Sequence, residues 1–111
     1  MTEATDAAQA ANHLRTVVPS CSLSDEELRL QLERQRRVRP GVSRIERRES
    51  VLSIDFHPGF DRVALEEMIA VERRCCPFFQ FELDERRPHL VVSVDAIEHR
   101  PALEAIAAQL A

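Results

Sequence analysis

A proline stops a helix at the point where two cysteines stand side by side, in the stretch Glu72-Arg73-Arg74-Cys75-Cys76-Pro77-Phe78. Proline has no N–H to donate, and it pushes the preceding residue out of helical geometry. A helix running into this stretch must therefore end at Cys75 or Cys76. The aromatic run Phe78-Phe79-Gln80-Phe81 must then leave in a new direction. Upstream, Leu65, Met68, Ile69 and Glu72 follow a 3–4 spacing, and Cys76 extends that face. Ala64, Met68, Val71 and Cys75 form the adjoining row. Both thiols thus belong to, or border, the buried side of a helix predicted over Arg62 to Cys75, with Asp61 as its N-cap.

The rest of the chain is read around this element. Residues 1–13 are small, polar and Ala-rich with no apolar period, and are expected to form a disordered tail. The single domain is expected to span residues 14–111. Leu14 to Leu23 suits a short extended segment that carries Cys21, with Pro19 keeping it near a sheet edge. Ser24-Asp25-Glu26-Glu27 is a capping box. It opens a first helix from Asp25 to Val38, with Leu28, Leu32, Gln35 and Val38 as its buried stripe and Arg29 paired with Glu33. Pro40-Gly41 ends this helix. Strands are predicted over Val42 to Arg47 and Val51 to Phe56, joined by a turn at Arg48-Glu49-Ser50. Two more are marked by Phe79, Phe81 and Leu83, and by Leu90, Val92 and Val94, in period-two alternation. The last helix starts within Glu98 to Pro101 and buries Leu103, Ile106, Ala107 and Leu110. This order predicts an α+β fold. An antiparallel sheet of four to five strands carries helices on one face, as a two-layer sandwich of the ferredoxin-like type.

At 111 residues the chain suits one modest core, and 44% hydrophobic with 31% charged residues describes a globular protein. No apolar run approaches the ~20 residues of a membrane span. The N-terminus has neither basic residues nor a long apolar stretch, so a cytoplasmic location with reduced thiols is expected. The net charge of −4 argues against nucleic-acid binding. The exception is local: Arg34, Arg36, Arg37, Arg39, Arg44, Arg47 and Arg48 crowd one stretch. Glu33, Glu46 and Glu49 interleave with them, which reads as a solvated face with ion pairs. The absence of Trp and Tyr leaves little to stack on bases.

Three cysteines make an odd number, which fits a disulfide framework poorly. Adjacent residues on a helix point apart, so Cys75 and Cys76 converge only if the chain bends between them, and Pro77 supplies a reason for the bend. A disulfide between them would be strained, because their α-carbons lie only about 3.8 Å apart. The helix C-terminus disfavours thiolate, and no Ser-His-Asp or Cys-His pattern is visible, so no catalytic residue is assigned. His57, His89 and His99 lie apart in sequence and read as surface or loop residues. A soft metal or metalloid displaces the thiol proton itself and selects thiolate ligands. Cys21, Cys75 and Cys76 supply three sulfurs, the set suited to mercury(II) or arsenic(III). Zinc would want a fourth ligand, from Glu72 or His57. The plainer alternative is that Cys75 and Cys76 pack as small hydrophobes beside the phenylalanines, with Glu72 at the helix edge.

The segments Cys21-Ser22-Leu23 and Glu72-Arg73-Arg74-Cys75-Cys76-Pro77-Phe78 resemble those of a group of small, uncharacterised bacterial proteins that share a C-S-L opening and an E-R-x-C-C-P-F core. The likeness covers about residues 18–110. The group is associated with heavy-metal resistance, especially to mercury. The resemblance implies metal handling through Cys21, Glu72, Cys75 and Cys76, and it implies no catalytic residue. The expected function is thus thiophilic metal or metalloid binding, for buffering, sensing or transfer. A thiol redox protein cycling a Cys21 bridge is the alternative. Another is an interaction module whose cysteines fill the core and which dimerises through a sheet edge or helix face.

Overall fold

The computed structural model describes residues 23–111. The elements run α1 (Asp25–Val38), a 3-10 turn (Arg39–Gly41), β1 (Val42–Arg48), β2 (Val51–Phe56) and α2 (Arg62–Cys75). They continue with β3 (Gln80–Leu83), β4 (His89–Ser93), a second 3-10 turn (Ile97–His99) and α3 (Arg100–Leu110). The four described strands form one sheet in the order β1-β2-β4-β3, antiparallel at every adjacency. This is the α+β sandwich expected from the sequence. The proposed extended segment over Leu14 to Leu23, which would supply a fifth strand, lies outside the described residues except for Leu23.

Local chemistry sets the helix boundaries. The Ser24 side chain accepts from the Glu27 amide at 3.1 Å, and the Glu27 carboxylate accepts from the Ser24 amide at 3.3 Å, which completes the capping box. Asp61 accepts from the Ala64 amide at 3.0 Å and caps α2. Pro101 occupies the first turn of α3, where its missing N–H is not needed. Glu49 sits in the tight turn between β1 and β2 with φ of 49°, a conformation rare outside glycine, asparagine and aspartate.

The sheet has one dry face and one open face. Leu52, Ile54 and Phe56 of β2 alternate inward with Leu90 and Val92 of β4 and Phe81 of β3. They meet Leu65, Met68 and Ile69 of α2 and Leu103 and Leu110 of α3 in one core. Val38 from α1 and Cys76 from the end of α2 join the same cluster. The opposite face presents Arg44, Glu46 and Ser53, together with Asp55 and His89. The described helices therefore cover one side only. The buried stripe of α1 is Leu28, Gln31, Gln35 and Val38, so Gln31 takes the place expected for Leu32.

The arginine-rich stretch resolves into ion pairs. Arg44 and Arg48 both approach Glu46, at 3.6 and 3.7 Å, Arg34 reaches Glu67 at 3.5 Å, and Arg47 bonds Glu104 on α3. Arg29 pairs with Glu26 at 3.7 Å, one turn back, rather than forward with Glu33. No helix among the described residues is long and apolar enough to cross a membrane.

Gly41 is needed for a close approach between the 3-10 turn and the loop after β2. A Cβ built there would lie 2.5 Å from the Phe60 Cβ and 3.2 Å from its Cα, so the backbone must move to admit any side chain. Gly41→Ala is expected to destabilise the fold by about 1–3 kcal/mol, the usual range for overpacking. Leu65→Ala, at a site with 0% exposure, is expected to cost about 2–5 kcal/mol. Urea unfolding followed by circular dichroism measures both.

Candidate functional site

The site is built at the C-terminal end of α2. The Cys76 amide makes the last helical bond, to the Glu72 carbonyl at 2.7 Å. Cys76 itself has left the helix, with φ −129° and ψ 75°. Its carbonyl accepts from the Phe79 amide at 3.1 Å, which closes a tight turn with Pro77 and Phe78 at its centre. Proline at the second position of such a turn has the φ the turn requires. The chain thus bends between the two cysteines, as the position of Pro77 suggests. The reversal delivers Phe79 and Phe81 to the core as β3 begins.

The bend separates the environments of the thiols. Cys76 has 0% exposure. Cys75 is half-buried and packs against the core edge, as does Phe78. Neither Cys75 nor Cys76 is in a disulfide. The Cys76 thiol donates to the Glu72 carboxylate one turn back, an interaction that favours the charged carboxylate. Glu72 is half-buried, and its burial is the dominant influence, raising the carboxyl above its ordinary value. Bonds from Gln31 and Cys76 pull against that rise.

Gln31 ties this corner to α1. Its amide nitrogen donates to the Met68 carbonyl at 2.9 Å and to Glu72 Oε1 at 3.4 Å. Its amide oxygen accepts from Arg34 Nη1 at 3.1 Å, and Arg34 continues to Glu67. A polar seam therefore runs between antiparallel helices from Glu67 through Arg34, Gln31 and Glu72 to the buried thiol. Gln31 was not singled out from the sequence. The signal was available: a glutamine at the helical spacing of Leu28, Gln35 and Val38 is on the core side. At the end of the same seam, Arg74 Nη2 lies 3.3 Å from Glu27 Oε2, so the first turn of α1 rests on the last turn of α2.

The structure brings together Glu72, Cys76 and, one residue back, Cys75. Cys21 lies outside the described residues. Among the described residues, no group of three or more His, Cys, Asp or Glu side chains is arranged to hold a metal ion. Glu72, Cys75 and Cys76 thus do not make a metal centre by themselves. The histidines are placed more specifically than their isolation in sequence suggests. His89 is a strand residue of β4, with Nδ1 2.5 Å from Asp55 Oδ1 on the open face. His99 stacks on Phe78, ring centres 4.1 Å apart, just beyond the cysteine turn. His57 lies in the loop after β2, where its amide donates to the Gly41 carbonyl at 2.7 Å.

The raised carboxyl has a defined consequence for stability. The folded protein holds the Glu72 proton more tightly than the unfolded chain does, so folding is penalised once the unfolded carboxyl has ionised. This contribution favours the fold below the ordinary value of 4.5 and is lost as pH rises from there through the raised folded value. Glu72→Gln is expected to remove that decline, seen as the difference between wild-type and variant unfolding free energies across this window. Gln31→Leu is expected to cost about 1–3 kcal/mol by stranding buried polar partners. It should also move the Glu72 midpoint further up, read by NMR titration of the carboxyl. No protein-family model, no curated protein and no solved structure matches this chain.

Proposed function

We propose that this protein binds a thiophilic metal or metalloid ion, of the mercury(II) or arsenic(III) type, through Cys21, Cys75 and Cys76, with Glu72 as an auxiliary group. The observation that carries the reading is the seating of the first turn of α1 on the last turn of α2, through Glu27 and Arg74. Cys21 is two residues before Leu23, where the described chain begins, and only four before α1. Two residues of chain span at most about 7 Å. In this reading Cys21, four residues before α1 in sequence, supplies the third sulfur to the end of α2 on which α1 begins.

The chemistry of the corner supports the same reading. A soft ion binds thiolate, so each thiol must lose a proton as the ion arrives. Glu72 already accepts a hydrogen bond from the Cys76 thiol, and burial raises its proton affinity. It is placed to receive the proton that the ion displaces. Cys76 has left the helix, so its side chain is not held to the spacing that a continuous helix imposes on neighbours. The resemblance to proteins associated with mercury resistance points the same way. The protein would buffer, sense or pass on the ion, without turnover.

Native mass spectrometry of the reduced protein, titrated with mercury(II) or with arsenite, tests this. One ion per chain is expected, with binding weakened strongly in Cys21→Ser and in Cys76→Ser. Glu72→Gln should keep the stoichiometry while changing the pH dependence of binding. Equal binding by wild type and Cys21→Ser would defeat the three-sulfur site. A reversible disulfide through Cys21, with no ion bound, would favour the redox alternative.

A further inference from the structure

We propose that the outer edge of β1, which pairs with no other described strand, is a self-association surface. It pairs with β1 of a second copy of this chain, antiparallel and in a register centred on Ile45. This surface is separate from the thiol corner, and the inference does not depend on the ion-binding reading.

The two edges of the sheet are treated differently. At the β3 edge, Arg73 of α2 donates to the Phe81 carbonyl at 2.8 Å, and Arg62 donates to the Asp84 carbonyl at 3.0 Å. Those carbonyls are occupied by side chains of the protein's own helix. β1 is the other outer strand, and at seven residues it is the longest of the sheet. An outer antiparallel strand directs the N–H and C=O of alternate residues away from its neighbour. Among the described residues, no side chain bonds the main chain of β1 as those arginines bond β3. An open edge of this length is a template for another strand.

The side chains of β1 select both the occupant and the register. Arg44, Glu46 and Arg48 lie on the open face, while Ile45 and Arg47 lie toward the helices. In an antiparallel pair of identical strands, a two-fold axis at Ile45 puts Arg44 opposite the partner's Glu46, and Glu46 opposite the partner's Arg44. Ile45 then meets the partner's Ile45, two half-buried apolar side chains that cover each other. An axis at Arg44 opposes two arginines, and one at Arg47 does the same. An axis at Glu46 opposes two glutamates and also sets Arg44 against the partner's Arg48. Like charges directly opposite destabilise a strand pair, whereas opposite charges support it. Only the Ile45 register gives two opposed charge pairs without a like-charged one. Arg44 and Glu46 already approach each other within one strand at 3.6 Å, with side chains 68% and 46% exposed, so both are free to turn toward a second copy. The bulge between Val42 and Arg44 limits regular pairing to a few residues, which makes the association weak and reversible.

Sedimentation equilibrium of the full chain, up to a concentration of about 1 mM, tests this. Wild type is expected to show a monomer–dimer equilibrium with a Kd on the order of 100 μM, typical of a small interface. Glu46→Arg puts Arg44 against an arginine of the partner and is expected to weaken dimerisation at least about tenfold. Arg44→Glu alone should do the same by opposing glutamates. The double exchange Arg44→Glu with Glu46→Arg restores opposite charges in this register and should recover the dimer. Circular dichroism confirms that each variant is folded. A wild-type chain that stays monomeric overturns the proposal. A dimer indifferent to the single exchanges, or not recovered by the double exchange, overturns the β1 register. β1 amides protected from hydrogen exchange in a monomer would assign the edge to residues 14–22 of the same chain, and would also overturn it.

Discussion

The turn from Cys76 to Phe79 is the constraint on which the rest of the domain depends. Pro77 cannot extend α2 and disfavours helical geometry at Cys76. The carbonyl of Cys76 is satisfied instead by Phe79, three residues on. That single reversal does two things. It leads into β3 with Phe79 and Phe81 facing the helices, where they join Phe56 of β2 in the core. It also leaves one thiol buried under the turn and its neighbour at the rim. Without the reversal, Cys76 would continue the helix and β3 would not reach β4.

The second determinant is the polar seam between α1 and α2. Apolar packing would hold two helices together without fixing how far one slides along the other. Gln31 fixes that position, because its amide must satisfy Met68, Glu72 and Arg34 at once. Leaving one of these groups buried without a partner costs more than the bond itself contributes in net terms, so the seam selects a single arrangement. The same seam brings the start of α1 against the end of α2, where Glu27 meets Arg74. The candidate corner is therefore a consequence of helix registration as well as of the cysteine motif. The carboxylate of Glu72 stands where registration and thiol chemistry intersect.

The sheet shows a comparable division of labour. Its helix-covered face forms the core, and its open face is a pattern of exposed charge. At one edge, arginines from α2 bond backbone carbonyls that would otherwise face solvent. At the other, the charges of β1 alternate along a strand whose outer side pairs with no other described strand. Exposed arginine and glutamate on such a strand discourage indiscriminate pairing, and their order permits one complementary register.

The elements themselves were legible in the amino-acid order, because the forces that define them are local. Ser24 and Glu27 cap each other within one turn, Asp61 caps α2 in the same way, and Pro77 stops it by sterics confined to adjacent residues. Alternation in Leu52-Ser53-Ile54-Asp55-Phe56 declares which side of β2 is buried, whatever packs there. Chain order together with this alternation was enough for an antiparallel sheet with helices on one side. Three things were decided only in three dimensions. Gln31 found Met68 and Glu72 because they lie on another helix, and no local pattern specifies a hydrogen bond across thirty-seven positions. His89 found Asp55 because β2 and β4 are neighbours, an adjacency set by the order in which strands join rather than by either strand's composition. The proton affinity of Glu72 rose because tertiary packing removed water from it, and the sequence spacing shows only that it lies on the same helix face as Cys76. Local sterics and capping act over a few bonds and can be read along the chain. Desolvation and long-range pairing depend on which distant surfaces meet, and only the folded arrangement supplies that.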